Sequence, residues 1–162
     1  MQWLLSLKLV VLLTVANGIP AVAWKVFGEH FNEPVDGGFT FIDKQPIFGN
    51  SKTIRGIILS LVATTAFAPV VGLDWVIGLC ISSVAMLGDL GSSFLKRRFN
   101  MPPSSRATGI DQIPECLLPT LAIRSTLGLG FLDILFVVAV FFLGHITLSH
   151  LFFRWKIRNR PY

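Results

Sequence analysis

The residues best equipped for chemistry lie in GDLGSSFLKRR, residues 88–98, at the end of an apolar segment. Asp89, Ser93 and Lys96 recur at helical spacing and therefore share one face of a helix. At about 1.5 Å of rise per residue, Asp89 lies about 10 Å below Lys96. A carboxylate facing lipid there would cost several kcal/mol, so we expect Asp89 to face the interior of a helical bundle. In a purely structural alternative, Asp89 pairs with Lys96 or Arg97 and only holds helices together.

A second acidic group follows the next basic stretch, in TGIDQIPE at residues 108–115. Carboxylates such as Asp111 are ligands that Mg²⁺ prefers, usually one or two of them together with substrate phosphates. Carboxylates beside Lys and Arg are therefore typical of phosphoryl or nucleotidyl transfer, in which a metal bridges phosphates and cations offset developing charge. Asp is also common as the N-cap of a following helix, and both interpretations of Asp111 can hold together.

A third polar stretch, FGNSKTIRG at residues 48–56, places hydroxyl groups and two cations at the start of a predicted helix. Free backbone N–H groups and the helix dipole favour phosphate at such a position. The spacing is not that of a Walker A loop, because G-x-x-x-x-G-K-[ST] is absent. On its own, the stretch is equally typical of a polar loop that begins a helix.

The composition indicates a membrane protein. The chain has 162 residues, of which 52% are hydrophobic and only 14% charged, and its mean hydropathy is +0.67. A soluble domain normally carries about 25% charged residues. The 14 basic residues outnumber the 9 acidic ones, but they cluster beside apolar runs. This placement indicates membrane orientation rather than a nucleic-acid partner. Cys80 and Cys116 have no spacing that predicts a disulfide or a zinc site.

Apolar segments at about 3–24, 54–72, 75–95 and 129–153 are each near the 20 or so residues that a crossing needs. A shorter segment lies at about 112–126. Placing every Lys- and Arg-rich region in the cytoplasm, including Arg106 and the C-terminal basic residues, requires five transmembrane helices. We therefore predict an all-α polytopic bundle with its N-terminus outside and its C-terminus cytoplasmic. Residues 1–162 would form one catalytic domain, with cytoplasmic loops at about 25–53 and 96–111.

The N-terminal segment has two interpretations. It ends in Ala21-Val22-Ala23, which is typical of a signal-peptidase site. However, no basic cluster precedes the apolar run, and the only cation, Lys8, lies inside it. We therefore expect a retained transmembrane helix.

Taken together, these motifs resemble the CDP-archaeol synthase family, membrane CTP:lipid-phosphate cytidylyltransferases related to bacterial CDP-diacylglycerol synthases. The resemblance covers nearly the whole chain, from NGIP at 17–20 through PVDGG, Asp43, FGNSKTIRG and GDLGSSFLKRR to GIDQIPE at 109–115. It implies that CTP and a lipid phosphate from the bilayer react with Mg²⁺ to give a CDP-lipid and pyrophosphate. The enzyme would be a multi-pass protein of the cell membrane with its active site facing the cytoplasm, and the resemblance leaves a homodimer open.

The resemblance also implies roles for individual residues. Asp89 and Asp111 would bind the metal and form the catalytic centre together with Lys96. The residues expected to bind substrate are Asn17, Asp36, Lys52, Thr53, Arg55, Ser93, Arg97 and Gln112.

One departure from the family pattern concerns the second acidic motif. Where the family reads roughly L-D-Q-L-D, this chain has Ile110-Asp111-Gln112-Ile113-Pro114, and Glu115 follows one place later. One residue turns a helix by about 100°, so Glu115 need not replace the missing aspartate.

Two other functions compete with the cytidylyltransferase. One is a CTP-dependent lipid kinase of the polyprenol-kinase type, which also combines basic loops with carboxylates inside a membrane. The other is a non-enzymatic small transporter or assembly protein, in which Asp89 serves as a cation site.

Overall fold

The computed structural model describes residues 2–102, 105, 107 and 109–154, and for residues 148–154 it describes the helical backbone alone. Arg106, Lys156, Arg158 and Arg160, which we assigned to cytoplasmic regions, lie outside the described residues.

The described chain consists of helices joined by loops and contains no strand. The helices are α1 (Trp3–Phe27), α2 (Ile54–Phe67), α3 (Trp75–Arg98), α4 (Gln112–Ala122), α5 (Arg124–Leu127) and α6 (Phe131–Arg154), with a single 3₁₀ turn at Pro69–Val71. The all-α prediction is confirmed, and the helices follow the apolar segments closely. The short fifth segment is divided at Ile123 into α4 and α5.

Three described helices are long and apolar enough to cross a membrane: Trp3–Phe27, Ile54–Val71 when the 3₁₀ turn is included, and Trp75–Arg98. In α6 the apolar stretch Phe131–Thr147 is shorter within the described side chains. Large apolar side chains on the outer faces of the helices are exposed, as a lipid environment requires; they include Leu4, Val62, Leu87, Leu132 and Leu143. The chain is an integral membrane protein.

The core forms where α1, α3 and α6 pack together. From α1, Leu9, Leu12, Leu13 and Ala16 recur at helical spacing and are buried. Across from them lie buried residues of the other helices, namely Ile77, Ile81, Ala85, Cys116, Ile134, Val137 and Phe141. Half of the apolar α3 span is buried, against 28% for α1 and 22% for α2. Helix α3 is therefore the innermost of the three spans.

Glycines allow α3 to approach its neighbours closely. A Cβ atom added at Gly88 would lie 2.7 Å from the carbonyl oxygen of Pro114, and one at Gly78 would lie 2.7 Å from the Cβ of Ala68. Gly88 immediately precedes Asp89, and Pro114 immediately precedes Glu115. The contact between α3 and α4 therefore brings two acidic residues together.

We predict that Gly88→Ala destabilises the protein, because the new Cβ would collide with the α4 backbone, which cannot yield as a side chain can. Overpacking of this kind costs about 1–3 kcal/mol, and the thermal unfolding midpoint in detergent should fall accordingly. Gly91→Ala is the matched control, since a Cβ there would meet nothing within 4 Å. Equal midpoints for the two variants would contradict a close α3–α4 contact.

Candidate active site

The centre of the site is an ion pair between Lys52 and Asp89. The Nζ atom of Lys52 lies 2.5 Å from both carboxylate oxygens of Asp89. Lys52 comes from the loop between α1 and α2, which we call the first loop (residues 28–53), whereas Asp89 lies on α3. Burial alone would lower the pKa of Lys52, but the Asp89 carboxylate raises it, and the net pKa lies above its ordinary value of 10.5. Lys52 is therefore a cation throughout the physiological pH range.

This pairing differs from the alternative stated in the sequence analysis, in which Asp89 only holds helices together. That alternative expected Asp89 to bond to Lys96 or Arg97, on its own helix. Lys96 acts on Asp89 only at longer range, through its charge. The direct partner comes instead from the first loop, 37 residues away in the chain.

Glu115 on α4 lies beside Asp89, because the backbone of Pro114 and Glu115 packs against Gly88, and the two carboxyl groups interact electrostatically. Glu115 is 6% exposed and also interacts electrostatically with Lys52 and Asp111. The one-residue shift of this carboxylate from the family pattern therefore does not remove it from the site. We had left its role open because helical rotation alone does not tell how closely α3 and α4 pack.

A second ion pair connects Lys96 of α3 to Asp111. The Nζ atom of Lys96 lies 2.7 Å from Oδ1 of Asp111 and donates to the carbonyl of Ser105 at 3.0 Å. Asp111 occupies the N-cap position of α4, but its side chain does not cap the helix. Its Oδ2 accepts instead from the backbone N–H of Ala107 at 2.9 Å. The expected capping bond is thus absent, and the side chain holds the preceding loop.

Arg97 is buried beside this second pair. Its side chain is 2% exposed, and it interacts electrostatically with Asp111. The Nε and Nη1 atoms of Arg97 form no hydrogen bond with any residue in the described part of the chain. Buried polar groups normally have partners, and a buried guanidinium without them suits an anion such as phosphate, which can accept two of its N–H groups at once.

Asp36 shapes the first loop. Its Oδ2 accepts from the backbone N–H groups of Phe48 and Gly49 at 2.9 and 2.8 Å, and Oδ1 accepts from Gly38 at 3.1 Å. Burial opposes ionisation of Asp36, but the three N–H groups favour it more strongly, so that its pKa lies below the ordinary value of 3.8. These three hydrogen bonds thus lie within the loop that carries Lys52.

Three other substrate-binding candidates form hydrogen bonds with the backbone of the chain. Thr53 caps α2 by accepting from the N–H of Gly56 at 3.2 Å. Arg55 turns away from the carboxylates and donates to the carbonyls of Gly28 and His30 at the end of α1. Asn17 donates to the carbonyl of Leu13 within α1 at 3.0 Å.

Two candidates lie at the buried interface of α3 and α4. Gln112 is 1% exposed and accepts from the N–H of Gly109 at 2.7 Å. Ser93 is buried on the Asp89 face of α3. The structure thus groups Lys52, Asp89 and Glu115 in one cluster and Lys96, Arg97 and Asp111 in another, linked by longer-range electrostatic interactions.

The donor set of these clusters suits Mg²⁺. The candidate ligands are carboxylate oxygens, and within the described residues no three His, Cys, Asp or Glu side chains converge closely enough to enclose an ion alone. Mg²⁺ is commonly held by one or two carboxylates and completed by substrate phosphates and water. The orphaned N–H groups of Arg97 are suited to bind such phosphates. The residues present therefore fit a magnesium–phosphate site.

Comparison with known proteins identifies the family of the chain. A family model described as CarS-like CDP-archaeol synthase matches residues 4–162. A CDP-archaeol synthase from Sulfurisphaera tokodaii is 32% identical over 135 residues, which cover 80% of this chain and 81% of that protein. A CDP-archaeol synthase from Sulfolobus acidocaldarius is 30% identical over 135 residues, covering 80% and 83%.

A solved structure shares the fold. It is an intramembrane enzyme for archaeal membrane lipid biosynthesis, superposes with a TM-score of 0.71, and is 26% identical. The match covers 86% of this chain and 91% of that one. The fold and the matched sequences define an intramembrane enzyme of the cytidylyltransferase class. Within that class, the chain belongs to the CDP-archaeol synthase family.

We predict that Asp36→Asn destabilises the protein at neutral pH, because the ionised carboxylate accepts three N–H groups. Hydrogen bonds to a charged group contribute roughly 1.5–3 kcal/mol. Folding lowers the pKa of Asp36. Its contribution to folding stability is therefore fully present above pH 3.8 and is lost as the pH falls through the pKa of the folded state. The thermal unfolding midpoints of the wild type and Asp36→Asn, measured in detergent from pH 7 to pH 3, should therefore differ, and the difference should become smaller as the pH falls. Glu29→Gln, at an exposed position of the same loop, is the control; a similar loss there would contradict this role.

Proposed function

We propose that the protein transfers the cytidylyl group of CTP to a lipid phosphate, giving a CDP-lipid and pyrophosphate. The observation that carries the proposal is the pairing of Asp89 with Lys52 and of Asp111 with Lys96, both largely shielded from solvent beside α3, in a chain of the CDP-archaeol synthase family. The relatives named above are CDP-archaeol synthases, which favours a lipid phosphate of the archaeal type as the substrate. The site itself recognises only the phosphate chemistry.

The proposal includes a membrane orientation. Five crossings, with α4 and α5 together forming the fourth, would leave the N-terminus outside and the C-terminus in the cytoplasm. The first loop and the segment at 96–111 would then both be cytoplasmic, as the basic residues around them favour. CTP would enter from the cytoplasm, and the lipid tails would remain in the bilayer. Residues 1–162 would form one catalytic domain.

Asp89 and Asp111 would hold Mg²⁺, with Glu115 in place of the second aspartate of the family motif. Bound there, the ion would neutralise and orient the triphosphate. Each aspartate lies within 2.7 Å of a lysine Nζ atom, so a bound Mg²⁺ would share these carboxylates with Lys52 and Lys96. Glu115 packs with its backbone against Gly88 and interacts electrostatically with Asp89, which supports its inclusion.

The reaction needs positioning more than acid–base chemistry. An oxygen of the lipid phosphate, ionised at neutral pH, would attack the α-phosphorus of CTP as the bond to the β-phosphate oxygen breaks. Both bonding electrons leave with pyrophosphate, so no proton has to be removed from the nucleophile. Lys52, Lys96 and Arg97 would offset the negative charge that develops on the leaving group. Their burial strengthens this effect, because screening by water is weaker there.

We predict that Asp89→Asn and Asp111→Asn each abolish Mg²⁺-dependent formation of CDP-lipid. The purified protein would be incubated with labelled CTP, Mg²⁺ and ether-linked or diacyl lipid phosphates, and the products would be separated. Asp74→Asn is the control, because Asp74 caps the opposite end of α3. Activity like that of the wild type in either site variant would reject the assignment of these carboxylates.

The products of the wild-type protein distinguish the competing functions. Pyrophosphate and a CDP-lipid support the transferase. A lipid kinase would instead release CDP from CTP and phosphorylate a lipid alcohol. Binding of CTP without turnover of any lipid phosphate would favour a non-enzymatic protein.

We predict that Glu115→Gln raises the Mg²⁺ concentration needed for half-maximal activity by roughly 10- to 100-fold, as loss of an acidic group at a metal site commonly does. The same variant should lose part of the Mg²⁺-dependent rise in thermal unfolding midpoint, a signal that does not depend on turnover. Glu115→Asp, which keeps the charge, should lie between Gln and the wild type. An unchanged Mg²⁺ dependence in Glu115→Gln would exclude the residue from the metal site.

A further inference from the structure

The last basic residue of α3, Arg98, faces away from the carboxylates. It lies nine residues after Asp89, and at about 100° per residue this places it about half a turn away around the helix. Lys96 and Arg97 are buried beside Asp111, but Arg98 contacts the first loop from the other side of α3. The three adjacent cations of the KRR sequence therefore do not act as one basic patch.

Arg98 binds a small hairpin at residues 39–47 of the first loop, which we call the latch hairpin. The hairpin is closed by a bridge between Thr40 and Pro46 and by the hydrogen bond from Phe41 N–H to the carbonyl of Gln45, 2.8 Å long. Nη1 of Arg98 lies 2.8 Å from Oδ1 of Asp43, and Nη2 donates to the carbonyl of Pro46 at 2.7 Å.

Aromatic rings complete this contact. The Arg98 guanidinium lies 4.9 Å from the ring centroid of Phe41 and 4.8 Å from that of Phe94, and the two rings meet edge to face. Next to them, Gln45 donates to Asn100 across the same interface at 3.1 Å. One arginine thus combines an ion pair, a carbonyl contact and cation–π stacking, which a lysine cannot reproduce.

A short, hydrogen-bonded path connects the latch hairpin to Lys52. Phe48 and Gly49 follow the hairpin directly and are held by Asp36. The N–H of Lys52 then donates to the carbonyl of Gly49 at 3.1 Å, and the carbonyl of Lys52 accepts from Val35 at 2.8 Å. The first loop therefore holds α3 at two points on opposite sides, with Lys52 at Asp89 and the hairpin at Arg98.

We infer that Arg98 is a positioning residue, which docks the latch hairpin on α3 and so sets Lys52 at Asp89. The guanidinium of Arg98 is bonded to the hairpin, on the side of α3 opposite to Asp89. Misplacement of a catalytic group by about 1 Å can cost about 100-fold in rate. Undocking the latch hairpin should therefore displace Lys52 and lower the rate. This inference rests on the proposed function for the role of Lys52, whereas the docking of the hairpin can be tested without it.

The first test is limited trypsin digestion after Lys44, which is exposed in the turn of the latch hairpin. Arg98→Ala should speed this cleavage by roughly tenfold, since it removes an exposed ion pair and two cation–π contacts. Arg98→Lys should have a smaller effect. Lys25→Ala, which removes an exposed cation at the end of α1, should leave the cleavage rate unchanged. Unchanged cleavage in Arg98→Ala would overturn the latch, whatever the protein catalyses.

The second test is a double-mutant cycle measured by CDP-lipid formation. Arg98→Ala alone should lower kcat by about 10- to 100-fold, and Arg98→Lys should recover part of the loss. In a Lys52→Ala background, Arg98→Ala should add little, because its effect passes through Lys52. If Arg98→Ala lowers kcat by the same factor in the Lys52→Ala background as in the wild type, the positioning role is overturned. That result would indicate a separate action of Arg98 on substrate or on folding. If the wild type forms no CDP-lipid from any lipid phosphate, the proposed function fails, and the digestion still decides whether Arg98 docks the hairpin.

Discussion

The interaction on which this structure depends is the ion pair between Lys52 and Asp89, which is largely shielded from solvent where the first loop meets α3. Neither ion could remain there alone, because an isolated buried charge costs several kcal/mol. Shielding the pair from solvent requires three conditions. Helix α3 must be the innermost span, the first loop must reach α3, and α4 must pack beside the pair. Each of these conditions is visible: α3 has the most buried span, Asp36 orders the loop, and Gly88 admits the α4 backbone.

Helix α3 and its acidic residue were predictable from the sequence because the signals are local. An uncharged run of sufficient length predicts a crossing, and an aspartate at the end of that run must face inward. The helical register of Asp89, Ser93 and Lys96 likewise depends only on the 3.6-residue period. The pairing of Asp89 with Lys52 was not predictable, since it joins residues 37 positions apart through a loop with irregular backbone.

The role of Glu115 shows the same limit. Rotation about one helix axis left open whether a carboxylate shifted by one residue could replace the missing aspartate. The distance between two helices, however, is decided by small residues at their contact, and Gly88 allows α3 and α4 to meet almost backbone to backbone. Arg98 received no role from the sequence, and it acts apart from Lys96 and Arg97 because successive residues of a helix project in different directions.

The shortness of α4 has a consequence for the bilayer itself. Its 11 residues extend about 16 Å, roughly half of a hydrocarbon core of about 30 Å, and α2 has only 14 residues before its 3₁₀ turn. Around such short helices a bilayer thins or its head groups sink to meet the polar helix ends. Asp111 and Lys52 stand at those ends. A lipid phosphate next to α2 and α4 would thus descend towards the carboxylates while its tails stay in their own leaflet, and the thickness of the surrounding membrane would influence the rate.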